Sequence, residues 1–254
     1  MAGERAEDRR VYRLTGPDRI KFLQGLISND AKGLESGAVY AALLTPQGKY
    51  LADFLLIPDG ETVLLDVKDS LADGLVRRLA MYRLRADVRI EPTTLKVQRG
   101  LADPPPGAFA DPRHPALGWR LYSDEAGDSP AIDWDAIRVA HLIPETGIEL
   151  IPDESYILEC GFERLNGVSY RKGCYVGQEV TARMKHKTEL RKGLALVAVE
   201  GEVLPGTPIM AAGKDAGLLM TRSGDRAIAY LRFDRAEDGM VAGAARVTRL
   251  PDPA

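Results

Sequence analysis

The chain has 254 residues, 45% of them hydrophobic and 28% charged, with a formal net charge of -3. This is the composition of an ordinary globular protein, long enough for more than one domain, and the charge excludes a general attraction to nucleic acid or anionic membrane. Two cysteines, Cys160 and Cys174, exclude a disulfide framework and point to a reducing compartment.

No uninterrupted apolar run approaches the ~20 residues of a membrane span. The first ten residues, MAGERAEDRR, hold acidic side chains and no apolar core. A secretory signal is therefore not expected there, and the expected location is cytoplasmic.

Val11 to Leu14 reads as a first strand. Thr15-Gly16-Pro17-Asp18 opens a helix with Ile20, Leu23, Leu26 and Ile27 at helical spacing, ended by Ser28-Asn29-Asp30. Asn29 and Asp30 suit a cap or turn. Ala41 to Leu44 is a strand, Thr45 to Lys49 a turn, and Tyr50 to Ile57 a nearly continuous apolar strand. Asp53 interrupts that run. A carboxylate inside an apolar strand costs energy unless it is paired or hydrogen-bonded, which makes it a site candidate.

Thr62 to Val67 is another strand. A helix capped by Asp69 or Ser70 follows, with Leu71, Leu75, Leu79 and Tyr82 on one face. Val88 and Ile90 begin a strand, and Leu95 to Leu101 is expected to extend the same sheet. Five prolines in 102–117 mark an irregular, mobile surface loop in which His114 is expected to be solvated. Trp119 to Tyr122 returns as a strand. Asp133 caps a helix containing Trp134, Ile137, Arg138, Ala140 and His141. Glu145, Glu149, Asp153 and Glu154 fall in a loop where most should be solvated, and Tyr156 to Glu159 reads as a strand.

The densest chemistry lies at Arg171-Lys172-Gly173-Cys174-Tyr175-Val176-Gly177-Gln178-Glu179. Two glycines bracket a cysteine, two cations precede it, and a helix start follows. Such a thiol is placed to react as its thiolate, whereas Cys160, in the strand-like Tyr-Ile-Leu-Glu-Cys, is placed to be buried. Residues 171–192 carry seven Lys or Arg against two Glu, a local +5 that leaves -8 for the rest. This patch suits an anionic small ligand or acidic partner. An RNA-binding module is a weaker reading, because the stretch lacks interleaved aromatics. Beyond Gly193, short apolar segments separated by Gly, Pro and Asp turns indicate an antiparallel sandwich or small barrel.

Lys172-Gly173-Cys174-Tyr175-x-Gly177-Gln178-Glu179 resembles the signature of the folate-binding YgfZ family, a relative of the T-protein (aminomethyltransferase) of the glycine cleavage system. The stretches Gly16 to Asp30 and Tyr82 to Val88 are similar to the same families. The resemblance implies an α+β fold of T-protein type: three domains in a ring around a central opening, ending in an antiparallel β-barrel. Residues 1–45 with 138–190 would form a discontinuous first domain, 46–137 an inserted α+β domain, and 191–254 the barrel.

The function implied is a tetrahydrofolate-binding accessory protein for assembly or repair of iron–sulfur clusters, with assembly proteins and client enzymes as transient partners and no nucleic acid or membrane. The implied folate-binding residues are Asp53, Asn29, Arg138, Tyr175, Gln178 and Glu179. Cys174 would be the reactive or cluster-contacting thiol, and Lys172 would favour its thiolate. T-proteins carry two adjacent aspartates where this chain has Ala52-Asp53. That difference counts against the alternative, a folate-dependent aminomethyltransferase.

Overall fold

The computed structural model describes residues 3–186, 189–236 and 239–253. They form two compact units, one of residues 1–131 with 162–180 and one of 132–161 with 181–254. Among the described residues no helix is long and apolar enough to cross a membrane.

In the first unit the strands are β1 (Glu4–Arg5) and β2 (Arg9–Thr15), then, after α1 (Arg19–Gln24), β3 (Val39–Leu44), β4 (Tyr50–Asp59) and β5 (Thr62–Lys68). Helix α2 (Asp69–Arg83) leads to β6 (Arg89–Pro92), β7 (Lys96–Gly100), β8 (Phe109–Ala110) and β9 (Trp119–Ser123). One antiparallel sheet runs β3-β4-β5-β2-β6 and a second runs β1-β7-β9-β8.

Strands alternate their side chains between faces, and this sorts the first sheet. Ala52, Phe54 and Leu56 of β4 pack with Leu23, Ile27, Leu75 and Leu79 in one apolar core. Asp53, and Asp66 in β5, therefore project from the opposite face. There Asp66 accepts hydrogen bonds from Arg9 of β2 (2.6 Å), Arg120 of β9 (3.1 Å) and Tyr122 of β9 (2.9 Å). Asp111 accepts from Arg113 (2.7 Å) and from Arg120 (3.0 Å). A buried ionic network thus ties the two sheets together.

Several expectations are corrected. The segment at 95–101 joins the second sheet instead of extending the first. Pro92 has no N–H to continue the ladder, and both the Thr93 N–H and its hydroxyl turn to the Val11 carbonyl. Helix α1 stops at Gln24: the Leu26 N–H tightens to the Leu23 carbonyl three residues back, and Ile27 bridges to Leu43. Neither Asp69 nor Ser70 caps α2. Lys68 occupies that position, and Asp69 pairs with Arg10. His114 is no solvated loop residue; its Nδ1 accepts the Ala116 N–H and caps a short 3-10 turn. The 102–117 loop includes β8 and contributes buried Asp111.

In the second unit, α3 (Trp134–Ala140) is capped as expected, with Asp133 accepting from the Ala136 N–H at 2.9 Å. Residues Tyr156 to Glu159 are not a strand. The Cys160 N–H bonds back to Tyr156 and Ile157, so the segment is a run of turns in which Ile157 and Leu158 are buried. The chain passes from the first unit to the second within α4 (Gln178–His186).

The remaining strands, β10 (Lys192–Glu200), β11 (Pro208–Ala211), β12 (Lys214–Ser223), β13 (Arg226–Arg232), β14 (Met240–Ala242) and β15 (Ala245–Arg249), close into an antiparallel barrel. Its interior is lined by small and branched residues, including Ala195, Val197, Ile209, Leu219, Ala229, Leu231 and Val247. Large side chains could not share so narrow a barrel.

Candidate functional site

Asp53 is 6% exposed, and the partners its burial demands come from its own strand and from the neighbouring β3. Tyr50 donates its hydroxyl to Oδ1 at 2.7 Å and Tyr40 donates to Oδ2 at 3.1 Å. Burial first, and then the Asp53 carboxylate, push the Tyr40 hydroxyl well above its usual range, so it remains a proton donor. The Tyr40 ring stacks on Phe162 at 5.0 Å, and the Arg113 guanidinium lies 5.6 Å from its centroid.

Asn29 extends this cluster. Its amide donates to the Tyr40 carbonyl (2.8 Å) and the Asn166 carbonyl (2.7 Å), while its side-chain oxygen accepts the Asp30 N–H. Asp30 in turn caps the 3-10 turn that follows, as its place in the sequence suggests. Lys172 donates to the backbone carbonyls of Ile27 (2.5 Å) and Asn29 (2.8 Å), and lies 4.9 Å from the Tyr175 ring centroid. The structure thus joins Asp53, Tyr40, Asn29, Lys172 and Tyr175 in one chain of contacts within the first unit.

This gives Lys172 a structural task as well. Its ammonium clamps the cysteine loop onto the segment after α1. Burial pushes that ammonium down to about 8, with Asp30 acting in the other direction. Two further contacts fix the loop beyond the thiol. Gln178 accepts the Tyr175 N–H at 3.3 Å. Gly177, at φ +84, is packed so closely that a Cβ would meet the Thr45 carbonyl at 2.6 Å. Gly173 differs: its φ is not left-handed, and a Cβ there would meet nothing within 4 Å.

Between these fixed points Cys174 is exposed, and Glu179 is exposed on the first turn of α4. Cys160 is buried in the second unit, where burial, and then Glu159, push its thiol up to about 12. Iodoacetamide at neutral pH should therefore alkylate Cys174 at least about a hundredfold faster than Cys160. Peptide mapping after a timed reaction checks this, and equal labelling of the native protein would contradict it.

Arg138 belongs to the second unit and is committed there. It donates to Glu149 (3.0 Å), Thr221 (3.0 Å), Asp135 (2.9 Å) and the Ile143 carbonyl (3.1 Å). Glu149, expected in a solvated loop, is instead buried, and accepts from Thr221 and from the Glu145 N–H. The pair fastens α3 and the following loop to barrel strand β12. Tyr40, Tyr50 and Phe162 were not foreseen as site residues. The available signal was a pair of tyrosines in otherwise apolar strands, since a buried hydroxyl needs a partner as much as a buried carboxylate does.

Among the described residues, no group of three or more His, Cys, Asp or Glu side chains could hold a metal ion. Two cavities of about 320 and 400 Å³ lie in the first unit, and neither is lined by Asp53 or Cys174.

Comparison with known proteins agrees with this architecture. Residues 191–253 match the CAF17 C-terminal beta-barrel domain. The crystal structure of glycine cleavage system aminomethyltransferase T from Bartonella henselae superposes with a TM-score of 0.69. It covers 96% of this chain and 82% of that one at 12% identity, a likeness of fold alone. The iron-sulfur cluster assembly factor IBA57, mitochondrial, of Mus musculus is 32% identical over 91% of this chain and 77% of its own length. Its Homo sapiens counterpart is 32% identical over 89% and 76%. The Mycosarcoma maydis homologue is 31% identical over 79% and 57%.

All three relatives are named mitochondrial, which overturns the cytoplasmic location expected from the N-terminal composition. That expectation excluded only a secretory signal. The resemblance to YgfZ narrows to a related group, and the chain belongs to the family of IBA57-type iron–sulfur cluster assembly factors.

Proposed function

We propose that this protein supports assembly or repair of iron–sulfur clusters through Cys174, and that it binds tetrahydrofolate against Asp53. The observation that carries the reading is the presentation of Cys174: an exposed thiol on a loop clamped by Lys172 before it and by Gly177 and Gln178 after it. A thiol held this way can bond to iron without first ordering its own backbone. Such clusters take four protein ligands. Cys174 supplies one, and the others come from a partner, in keeping with transient contact with assembly proteins and client enzymes.

The folate half of the reading rests on the donor set. A pterin offers N–H donors and a planar ring, and Asp53 supplies a carboxylate held among Tyr40, Tyr50 and Phe162. Bound folate would supply one-carbon or reducing chemistry. The chain's own residues would orient the ring and accept its protons. Asn29 after α1, Tyr175 on the cysteine loop, and Gln178 and Glu179 at the start of α4 would complete the folate contacts. Arg138 already has four partners in the second unit, so it serves better as a structural anchor there.

A calorimetric titration with tetrahydrofolate tests this half. Asp53→Asn keeps the shape and removes the charge, and should weaken binding by about 10- to 150-fold. Unchanged affinity in a normally folded variant, or no binding by the wild type, defeats the folate assignment while leaving the Cys174 assignment standing. Cys174→Ala in a strain lacking the native protein tests the other half. Full activity of its iron–sulfur enzymes would refute that.

A further inference from the structure

We propose that the C-terminal tip of α2 is a docking surface for an acidic protein partner, a site separate from the cysteine loop and independent of the folate reading. Helix α2 buries Ala72, Leu75 and Leu79, so its body belongs to the core. The end behaves differently. Residues 80–85 are all exposed, and they include Met81 at 76%, Tyr82 at 40% and Leu84 at 89%. Large side chains so open to water within four positions cost solvation that a solitary protein has no reason to bear.

Charge surrounds them. Residues 77–89 hold five arginines against one aspartate. Arg77 and Arg83 donate to the Asp73 and Val88 carbonyls. Among the described residues the side chains of Arg78, Arg85 and Arg89 make no hydrogen bond, ion pair or ring contact. A helix C-terminus does favour cations, but that accounts for one or two arginines of the last turn. It does not account for Arg85 and Arg89, which lie beyond the helix.

The backbone adds a third observation. Leu84 sits at φ 45, ψ -104, a conformation that a bulky branched residue adopts only when surrounding structure imposes it. This turn lifts Leu84 outward instead of folding it back onto the core. Methionine, tyrosine and arginine around a projecting apolar side chain have the composition of an interface hot spot. The surface fits a partner with a shallow apolar pocket rimmed by Asp and Glu. A bilayer would need an apolar face along the helix, and the apolar face of α2 is already buried.

A photo-crosslinking amino acid placed at Met81, with a control at exposed Leu204 in the barrel, tests this in cells. The expected result is one protein captured from Met81 and not from Leu204, joined through an acidic segment. That protein is then purified and titrated against the wild type and against the Arg78→Glu, Arg85→Glu, Arg89→Glu triple variant. Affinity should fall by at least roughly thirtyfold, weaken with salt, and recover when the partner's crosslinked acids are changed to lysine. Overturning results are no specific capture at Met81, a captured partner whose affinity ignores the three reversals, or a charge-dependent interaction found only with phosphatidylserine vesicles or RNA.

Discussion

Replacing Asp66 with alanine should destabilise the protein by about 3–5 kcal/mol, the cost of breaking a buried ion pair from one side. Asp66 is fully buried between the two sheets of the first unit, and Arg9, Arg120 and Tyr122 all converge on it. Removing the carboxylate takes a charged acceptor from two guanidinium groups that have little access to water, leaving Arg120 with Asp111 and Arg9 with the backbone carbonyl at position 66. Chemical denaturation gives the measurement, as a lower midpoint with an unchanged slope. A loss below about 1 kcal/mol would show that water reaches the arginines and that the network is dispensable.

The same network fixes the response to acid. Burial alone would raise the carboxyl groups of Asp66 and Asp111, but the neighbouring arginines outweigh it and hold both below the usual carboxylate range. Groups depressed on folding contribute stability that is fully present above their unfolded value of about 3.9, and it drains away only as pH falls below that value. Stability from this source is therefore flat near neutrality. In Asp66→Ala the share due to Asp66 is absent at every pH.

Gly177→Ala should cost about 2–4 kcal/mol, combining left-handed strain with overpacking. The added methyl would press on the Thr45 carbonyl and the Leu44 Cβ, at the end of β3 and the start of the turn to β4, which brace the cysteine loop. Gly173→Ala, four positions earlier, should change stability by less than about 0.5 kcal/mol, because the space beside it is open. Denaturation curves of the two variants check both values. If Gly173→Ala folds normally and yet fails to restore iron–sulfur enzymes in cells, the open space is needed by whatever meets Cys174. Equal destabilisation by both substitutions would mean that the loop is held differently from the structure described above.

The local features of this fold were legible where periodicity and breakers acted together. The apolar run of β4 and the Gly-, Pro- and Asp-punctuated strands of the barrel are of that kind. Met240 to Ala242 escaped notice because three residues between two glycines carry no period. Tyr156 to Glu159 misled for the opposite reason, since an apolar run reads as a strand whether or not another strand stands beside it.

The site was half legible. A carboxylate inside β4 announces that it needs donors, but the register of β3 against β4 decides that Tyr40 is one of them. The motif around Cys174 was visible at once. The clamp formed by Lys172 was not, because its acceptors are the main-chain carbonyls of Ile27 and Asn29, 145 and 143 residues away. Backbone acceptors leave no trace in side-chain pattern. The salt bridge between Arg138 and Glu149 was hidden for a different reason, since loop acids look alike until the chain is folded.

The barrel is sealed by β15. β10 pairs with β13 along one side and, from Val197 to Glu200, with β15 along the other. Until Ala245–Arg249 has left the ribosome, β10 and β14 each present a row of unpaired backbone groups to the crowded interior around them. Exposed edges of this kind recruit strands from other chains. The interval between the synthesis of β14 and the arrival of β15 is thus a vulnerable one, in which the cell's chaperones have two open edges to protect.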